Sequence, residues 1–470
     1  MVGYRPPRSL AGKSVFMTRF ETRAAFSLAG IFSLRMLGLF MIYPVFAFYA
    51  KHLDGSTPVT VGLALGAYGL TQALLQIPFG MLSDRYGRKR MITIGLVIFA
   101  AGSVVAALSG SIYGVIAGRI LQGAGAVGSV ILALGADLTR EEQRTKTMAV
   151  IGMTIGLSFA LALVLGPLLN AVVGVSGIFW ATAMMALVGI AVLYGVTPQP
   201  AKLQSHRDTG AVPAMFARVL SDPQLLRLDF GIFALHAMLT ASFIAVPVLL
   251  RDVVGVGENE LWMVYLPVLA ASVIIMVPMI ILAEAKRRMK SVFVGAVVTL
   301  GLSQLALLAW HTSLVELVVV LTLFFAAFNI MEASLPSLIS KVAPADAKGT
   351  AMGVYSSSQF FGIFIGGTVG GWAYGADGAA GVFIFSAIVA LLWFVVAVTM
   401  KPPRFTQTRM ISVDVRDAAD ATALQARLAA QPGVVEAAVA LDEGVAYIKV
   451  DSAQADAVDL DAFSHRPAEA

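Results

Sequence analysis

The stretch Gly80-Met-Leu-Ser-Asp84-Arg85-Tyr-Gly87-Arg88-Lys89-Arg90 lies between two long apolar runs. It packs one carboxylate, two glycines and four cations into a segment too short to fold alone. A small residue closes the first run, an acid follows four residues later, a turn glycine comes next, and a basic cluster opens the second run. This ordering marks a tight polar connection between two buried apolar elements. The composition of the rest of the chain says what those elements are.

Of the 470 residues, 58% are hydrophobic and 13% charged, whereas a soluble globular domain carries about 25% charged residues. The chain therefore reads as an integral membrane protein. With no cysteine, a disulfide framework, a thiolate zinc site and an iron–sulfur cluster are excluded. A helix needs roughly 20 apolar residues to cross the hydrocarbon. Twelve runs meet that test, at 24–50, 59–82, 91–109, 112–137, 147–172, 177–197, 227–251, 260–283, 291–311, 314–340, 349–374 and 380–400. They are continuously apolar, not alternating, so a transmembrane β-barrel is excluded on pattern.

Lysine and arginine gather in every second gap: Arg85, Arg88, Lys89 and Arg90; Arg140, Arg144 and Lys146; Lys202, Arg207 and Arg218; Lys286, Arg287, Arg288 and Lys290; Lys341 and Lys348. The intervening gaps hold Lys51 and Arg251. That asymmetry places both termini in the cytoplasm, accounts for the net charge of +5, and leaves no nucleic-acid module to be expected. Residues 1–23, with Arg5, Arg8, Lys13, Arg19 and Arg23, lack the apolar core and cleavage site of a signal peptide and read as a cytoplasmic leader. Residues 198–226, rich in proline, form a cytoplasmic linker between two six-helix halves at 24–197 and 227–400. The halves repeat: Pro78, Asp84, Arg88 and Arg90 have counterparts at one offset in Pro278, Glu284, Arg288 and Lys290, and Phe40 and Pro44 match Phe243 and Pro247. Two parallel six-helix repeats place a substrate site between them near the midplane.

Residues 401–408 form a second linker, and the composition then changes. Over 409–465 the pattern predicts strands at 410–415, 434–441 and 445–450 and helices at 417–430 and 452–463. This order is that of a small α+β ferredoxin-like module. Without a cysteine pair, its expected role is docking or regulation, with a regulatory ligand or a cytoplasmic partner.

The stretch Gly80-x-Leu82-x-Asp84-Arg85-x-Gly87-Arg88-Lys89 resembles the loop 2–3 signature of the major facilitator superfamily. Arg119-x-x-Gln122-Gly123-x-Gly125 is similar to that superfamily's second signature, and Gly166-Pro167 resembles its proton-antiporter signature, with Asn170 in the region where paired glycines are usual. Together with Arg35, the segment Ala283 to Lys290 and the C-terminal module, the whole chain resembles the YajR branch of drug-efflux-like transporters. The resemblance implies an all-α membrane protein of twelve helices working by alternating access, which exports small hydrophobic or amphipathic compounds across a bacterial inner membrane in exchange for protons. It implies no enzyme activity and no cofactor; the partners are a small-molecule substrate, protons and the lipid bilayer. Proton-coupled uptake or facilitated diffusion of a polar solute, and a transporter-like sensor signalling through the module, are the alternatives.

Within this frame, Gly80, Asp84, Arg85, Gly87, Arg88, Lys89, Asp137 and Arg144 are expected to form a conformational latch on the cytoplasmic side, with Asp84 facing the positive end of the eleventh helix. Ionisable residues inside a span cost at least about 2.5–3.5 kcal/mol on insertion scales and usually face a cavity or a partner. Arg35, Arg119, Glu332 and His236 are of this kind; Asp229, close to the rim, reads as interfacial. Glu332 and His236 are the candidates for proton coupling, against a structural pair and a packing histidine as alternatives. Arg35, Tyr43, Gln72, Arg119, Gln122, Asn329 and Gln359 are the candidates for the substrate cavity. The glycines between Gly353 and Gly371 are expected to permit close helix approach.

Overall fold

A computed structural model describes residues 17–199, 213–344, 347–401, 406–441, 444–451 and 463. The membrane body comprises α1 (Arg19–Phe40), α2 (Phe46–Ala50), α3 (Pro58–Tyr86), α4 (Arg88–Leu108), α5 (Ile112–Ala124), α6 (Gly128–Asp137), α7 (Glu141–Gly195), α8 (Pro213–Leu220), α9 (Pro223–Asp252), α10 (Trp262–Ala285), α11 (Met289–Ala309), α12 (Leu314–Val342) and α13 (Lys348–Val398). Ten segments of the described residues are long and apolar enough to cross a membrane, with α5 and α6 counted as one. Two of the ten, α7 and α13, contain a non-helical joint, at Gly174 and at Asp377–Gly378, and so cross twice each. The result is twelve crossings in two halves. Val172, Ile274 and Leu391 are among many large apolar side chains left exposed on the outside. A lipid belt explains them, since helices satisfy their own backbone hydrogen bonds and need no water there.

Local chemistry sets the boundaries. The first helix starts at Arg19 because Thr18 and Glu21 form a capping box: the Thr18 hydroxyl accepts from the Glu21 amide at 3.2 Å, and Glu21 accepts from the Thr18 amide at 2.8 Å. The expected leader therefore gives Arg19 and Arg23 to the helix; Arg5, Arg8 and Lys13 lie outside the described residues. Two expected single helices are each broken. Residues 41–45 interrupt the first crossing beside Pro44, which has no amide hydrogen to donate. Residues 125–127 interrupt the fourth, where Gly125 sits directly against the Gly95 carbonyl of α4. The expected linker 198–226 contains the short helix α8, while Lys202 and Arg207 lie outside the described residues.

The repeat survives as geometry. Gly87 joins α3 to α4 with φ of +96°, and Arg287, its counterpart between α10 and α11, also has a positive φ, +51°. A side chain in that region costs roughly 1–2 kcal/mol, so the second half keeps the turn without the residue that makes it easy.

Helix α13 lies between α9 of its own half and α3 of the other. Gly362, Gly366 and Gly370 face Phe233, Ala237 and Ala241 of α9, while Gly367 and Gly371 face Gly62 and Gly66 of α3. A β-carbon at Gly366 would meet the Ala237 carbonyl within van der Waals distance.

The C-terminal module contains β1 (Thr406–Ser412), α14 (Ala418–Ala429), β2 (Val434–Ala440) and β3 (Val445–Asp451), in an antiparallel sheet of order β1-β3-β2. The first strand begins earlier than the alternation at 410–415 indicates, because its pairing with β3 runs from Thr406 opposite Asp451 to Ser412 opposite Val445. Val413, Leu428, Ile448 and Val450 form its core. The helix expected at 452–463 lies outside the described residues, apart from Phe463, over whose ring the Arg427 guanidinium sits at 5.3 Å. The buried Lys449 amine pairs with Glu436 at 3.0 Å and donates to the Ala343 carbonyl, which seats the sheet beside the turn from α12 to α13.

Replacing Gly366 by Ala should cost about 1–3 kcal/mol and lower the melting temperature in detergent, whereas Ala at Gly295, which has nothing within 4 Å, should not. At the repeated turn, Gly87→Ala should destabilise by about 1–2 kcal/mol while Arg287→Gly is neutral or stabilising. Equal effects at the two turns would contradict a shared backbone conformation.

Candidate functional site

Three polar clusters lie within the apolar body. The first is on the face that carries residues 84–90, called the basic face below. Arg88 is 5% exposed and held from three sides: it pairs with Asp84 one turn back, with Asp137 at 3.0 Å, and donates to the Ser83 hydroxyl at 2.5 Å. The chain arranges this because Asp84 and Ser83 end α3, Arg88 opens α4 and Asp137 ends α6. Gly80 lets α3 approach Ser129 of α6, whose hydroxyl donates to the Gln76 carbonyl at 2.9 Å.

Other expected latch members have different partners. Lys89 donates to the carbonyls of Leu193 at 3.1 Å and Thr197 at 2.7 Å, at the end of α7. Arg23 does the same to Val196 at 2.7 Å and Gly195 at 3.2 Å. Cations suit these positions because a helix C-terminus exposes unpaired carbonyls and partial negative charge. Arg144 donates to the Ala136 carbonyl at 3.3 Å, and the Arg85 guanidinium lies 5.5 Å from the Tyr86 ring centre. Lys89 and Arg144 thus cap helix ends within the first half. Glu21 is a further member of this cluster. Its carboxylate, 3% exposed, accepts from the Arg140 amide at 2.9 Å and from the Arg140 guanidinium at 2.9 and 3.0 Å, tying α1 to the turn before α7. The Thr18-x-x-Glu21 spacing was the available signal.

The second cluster lies inside the first half. Arg35 donates to the Tyr68 hydroxyl at 2.6 Å, to Gln72 at 2.5 Å and to the Gly125 carbonyl at 3.3 Å, the last at the break between α5 and α6. Gln72 passes the chain to Gln76 at 2.8 Å. Arg119 donates to Gln122 at 2.7 Å and to the carbonyls of Ala64 at 3.2 Å and Leu65 at 3.5 Å, and Gln122 donates to Ser103 at 2.8 Å. Arg35, Gln72, Arg119 and Gln122 are all buried. Their printed bonds go to α3, α4, α5 and the break before α6, all within the first half, while Nε and Nη1 of the buried Arg35 have no hydrogen-bond partner among the described residues.

The third cluster lies in the second half. Gln359 of α13 sits between His236 of α9 at 2.9 Å and Glu332 of α12 at 3.4 Å, and His236 and Glu332 approach to 3.8 Å. The other ring nitrogen of His236 meets the Ile232 carbonyl at 3.3 Å. Asn329, one turn from Glu332, donates to Ser272 of α10 at 2.9 Å and so braces α12. Asp229, expected at the interface, is instead 5% exposed, with no hydrogen-bond partner for either carboxylate oxygen among the described residues. Its position near the helix start was legible, but the direction it faces was not.

Beyond this third cluster an aromatic plug joins the halves. Phe159 of α7 packs on Phe40, Phe243, Phe325 and Phe328 with ring centres 5.1–6.3 Å apart, and Tyr43 meets Phe243 at 5.5 Å. Phe328 also touches the His236 ring at 5.8 Å. On the face opposite the basic one, Asn170 donates to Asn259 at 3.1 Å and Lys51 lies 3.8 Å from Asp252, both between the halves. Gly166, followed by Pro167, packs against the Met41 carbonyl and Pro44 at the break in the first crossing. The two halves are therefore shut against each other on that face, with the Glu332 cluster behind the plug.

Comparisons with known proteins agree with this architecture. The model of the Major Facilitator Superfamily matches residues 28–290 and 262–412, and that of the YajR YAM domain matches residues 415–464. The inner membrane transport protein YajR of Escherichia coli is 48% identical, over 93% of this chain and 96% of that protein. The multidrug resistance protein MdtH of Aeromonas salmonicida is 27% identical over 71% of this chain and 82% of its own length. Among solved structures, a D-xylose–proton symporter superposes with a TM-score of 0.64 at 15% identity, covering 81% of this chain and 98% of that one, a likeness of fold. The chain belongs to the Major Facilitator Superfamily of membrane transporters, in the YajR-like branch that carries a C-terminal YAM domain.

Proposed function

We propose that the protein exports small hydrophobic or amphipathic compounds across a bacterial inner membrane, driven by protons and working by alternating access, with both termini and the YAM domain in the cytoplasm. The observation that carries this reading is the Glu332–Gln359–His236 cluster. It puts a titratable carboxyl and an imidazole in hydrogen-bonding reach of one amide, inside the body, next to the plug that shuts the opposite face. A carboxyl that is neutral in one access state and charged in the other ties proton movement to the rocking of the halves, because the charged form favours whichever state wets it. Two relatives lend support through their names, an inner membrane transport protein and a multidrug resistance protein. The cations of the basic face fit a cytoplasmic orientation.

The latch reading narrows to Asp84, Arg88 and Asp137, with Gly80 and Gly87 shaping the backbone. Helices α3 and α13 run antiparallel, with Gly66 against Phe364, the Ser357 hydroxyl donating to the Ala73 carbonyl at 3.1 Å, and Ile77 beside Gly353. Continued by two turns, that register carries Asp84 to the start of α13 at Lys348. A carboxylate at a helix N-terminus gains roughly 0.3–2 kcal/mol from the unpaired amides and the helix dipole. Arg88 holds Asp84 in place, and Asp137 holds Arg88.

In proteoliposomes with an imposed pH gradient and pyranine inside, Glu332→Gln should abolish proton movement coupled to export of a lipophilic cation such as ethidium, a loss of more than about tenfold. Coupled flux equal to wild type would remove Glu332 from the mechanism, and substrate-coupled proton entry in the uptake direction would replace export by uptake. Asp84→Asn should slow turnover severalfold and raise the reactivity of cysteines introduced on the basic face at positions 77 and 353, in a chain with no native cysteine. Unchanged turnover and reactivity would overturn the latch.

A further inference from the structure

We propose that Asp229 is a second proton-binding carboxylate, the cytoplasmic-side member of a two-acid station completed by Glu332. The proposal rests on the reading of Glu332 as the proton carrier. Asp229 precedes His236 by seven residues on α9. Seven residues make almost two turns, so both side chains share one helix face, with Asp229 about 10 Å closer to the basic end. Asp229 is 5% exposed, and among the described residues neither of its oxygens has a hydrogen-bond partner and no lysine or arginine pairs with it. A purely structural acid at that depth would hold donors, because an ionised carboxylate left without them in an apolar interior is strongly disfavoured.

Helix α9 packs chiefly on α13 and α12, with smaller contacts to α2, α3 and α8. From α13 comes Tyr355, whose buried hydroxyl also has no hydrogen-bond partner among the described residues. One turn further along, Gln359 touches Glu332 of α12 and His236. Arg227, two residues before Asp229, donates to the Thr399 hydroxyl at 3.1 Å. From the basic face upward, the order is therefore Asp229, Tyr355, then Glu332 with Gln359 and His236. One proton moves in the step. The Glu332 carboxyl loses it and the Asp229 carboxylate gains it. The negative charge passes from Asp229 to Glu332, and nothing is oxidised or reduced.

The test uses full-length protein in detergent and N,N′-dicyclohexylcarbodiimide, which adds to neutral carboxyl groups in apolar surroundings. Peptide mass spectrometry should find adducts on both Asp229 and Glu332 at acidic pH, each falling roughly tenfold per pH unit above its midpoint. Asp229→Asn should keep the Glu332 adduct and lose one pH-dependent carboxyl band from the infrared difference spectrum, a readout that does not depend on reagent access. An adduct on Glu332 with neither an adduct nor a band from Asp229 would overturn the second acid and leave the Glu332 reading standing. Titration of Asp229 without Glu332 would overturn that reading and the two-acid station with it.

Discussion

The position of α13 between two helices depends on glycines placed on two of its faces. Backbone can meet backbone at Gly366 and Ala237 on one side and at Gly367 and Gly62 on the other, which is how helices associate in hydrocarbon, where apolar burial gives no advantage over lipid. Two polar side chains of α13 are aimed by that wedge. Ser357 is brought to the Ala73 carbonyl of the other half, and Gln359 to His236 and Glu332. One helix therefore touches both the seam between the halves and the titratable cluster, and a shift of α13 moves both.

Charge is divided unequally between the halves. The interior of the first holds the buried guanidiniums of Arg35 and Arg119, bonded to carbonyls, amides and a phenol. The interior of the second holds Glu332, Asp229 and His236. Arginine keeps its proton under all ordinary conditions, so the first half is electrostatically fixed. The second contains the groups whose charge can change. In this division the first half supplies a constant positive field, and the second supplies the variable that responds to it.

Much of the architecture was legible in the sequence because membrane burial writes itself as length and composition. The twelve crossings, the repeat and the Asp84–Arg88–Asp137 cluster follow from run lengths, a fixed offset and residues at helix ends. What could not be read was rotation. A soluble helix declares its buried face by alternating polarity, but a helix apolar all round does not. Arg119 and Gln122 could therefore be placed by depth and not by direction, and they turn into their own half instead of toward the central seam. Asp229 failed in the opposite sense: six residues from the helix start, it reads as wet, yet it faces the interior. Lys89 and Arg144 belong to helix ends whose carbonyls come from distant parts of the chain, and spacing carries no trace of them.

The interrupted crossings have a mechanical consequence. In the first half helix assignment is interrupted at 41–45 and at 125–127, while the corresponding crossings of the second half, α9 and α12, continue as helix for 30 and 29 residues, each lacking one amide donor, at Pro247 and Pro336. An unbroken helix bends stiffly because each distortion strains a ladder of hydrogen bonds; a segment with that ladder already open is a compliant joint. The duplicated halves are then unequal springs. Strain generated during rocking concentrates at two joints, both braced by neighbours of the first half, through Gly166 at one and Arg35 at the other. The second half, with its helices continuous through Pro247 and Pro336, deforms less, and Glu332, Gln359 and His236 keep their mutual geometry better than the joints of the first half keep theirs.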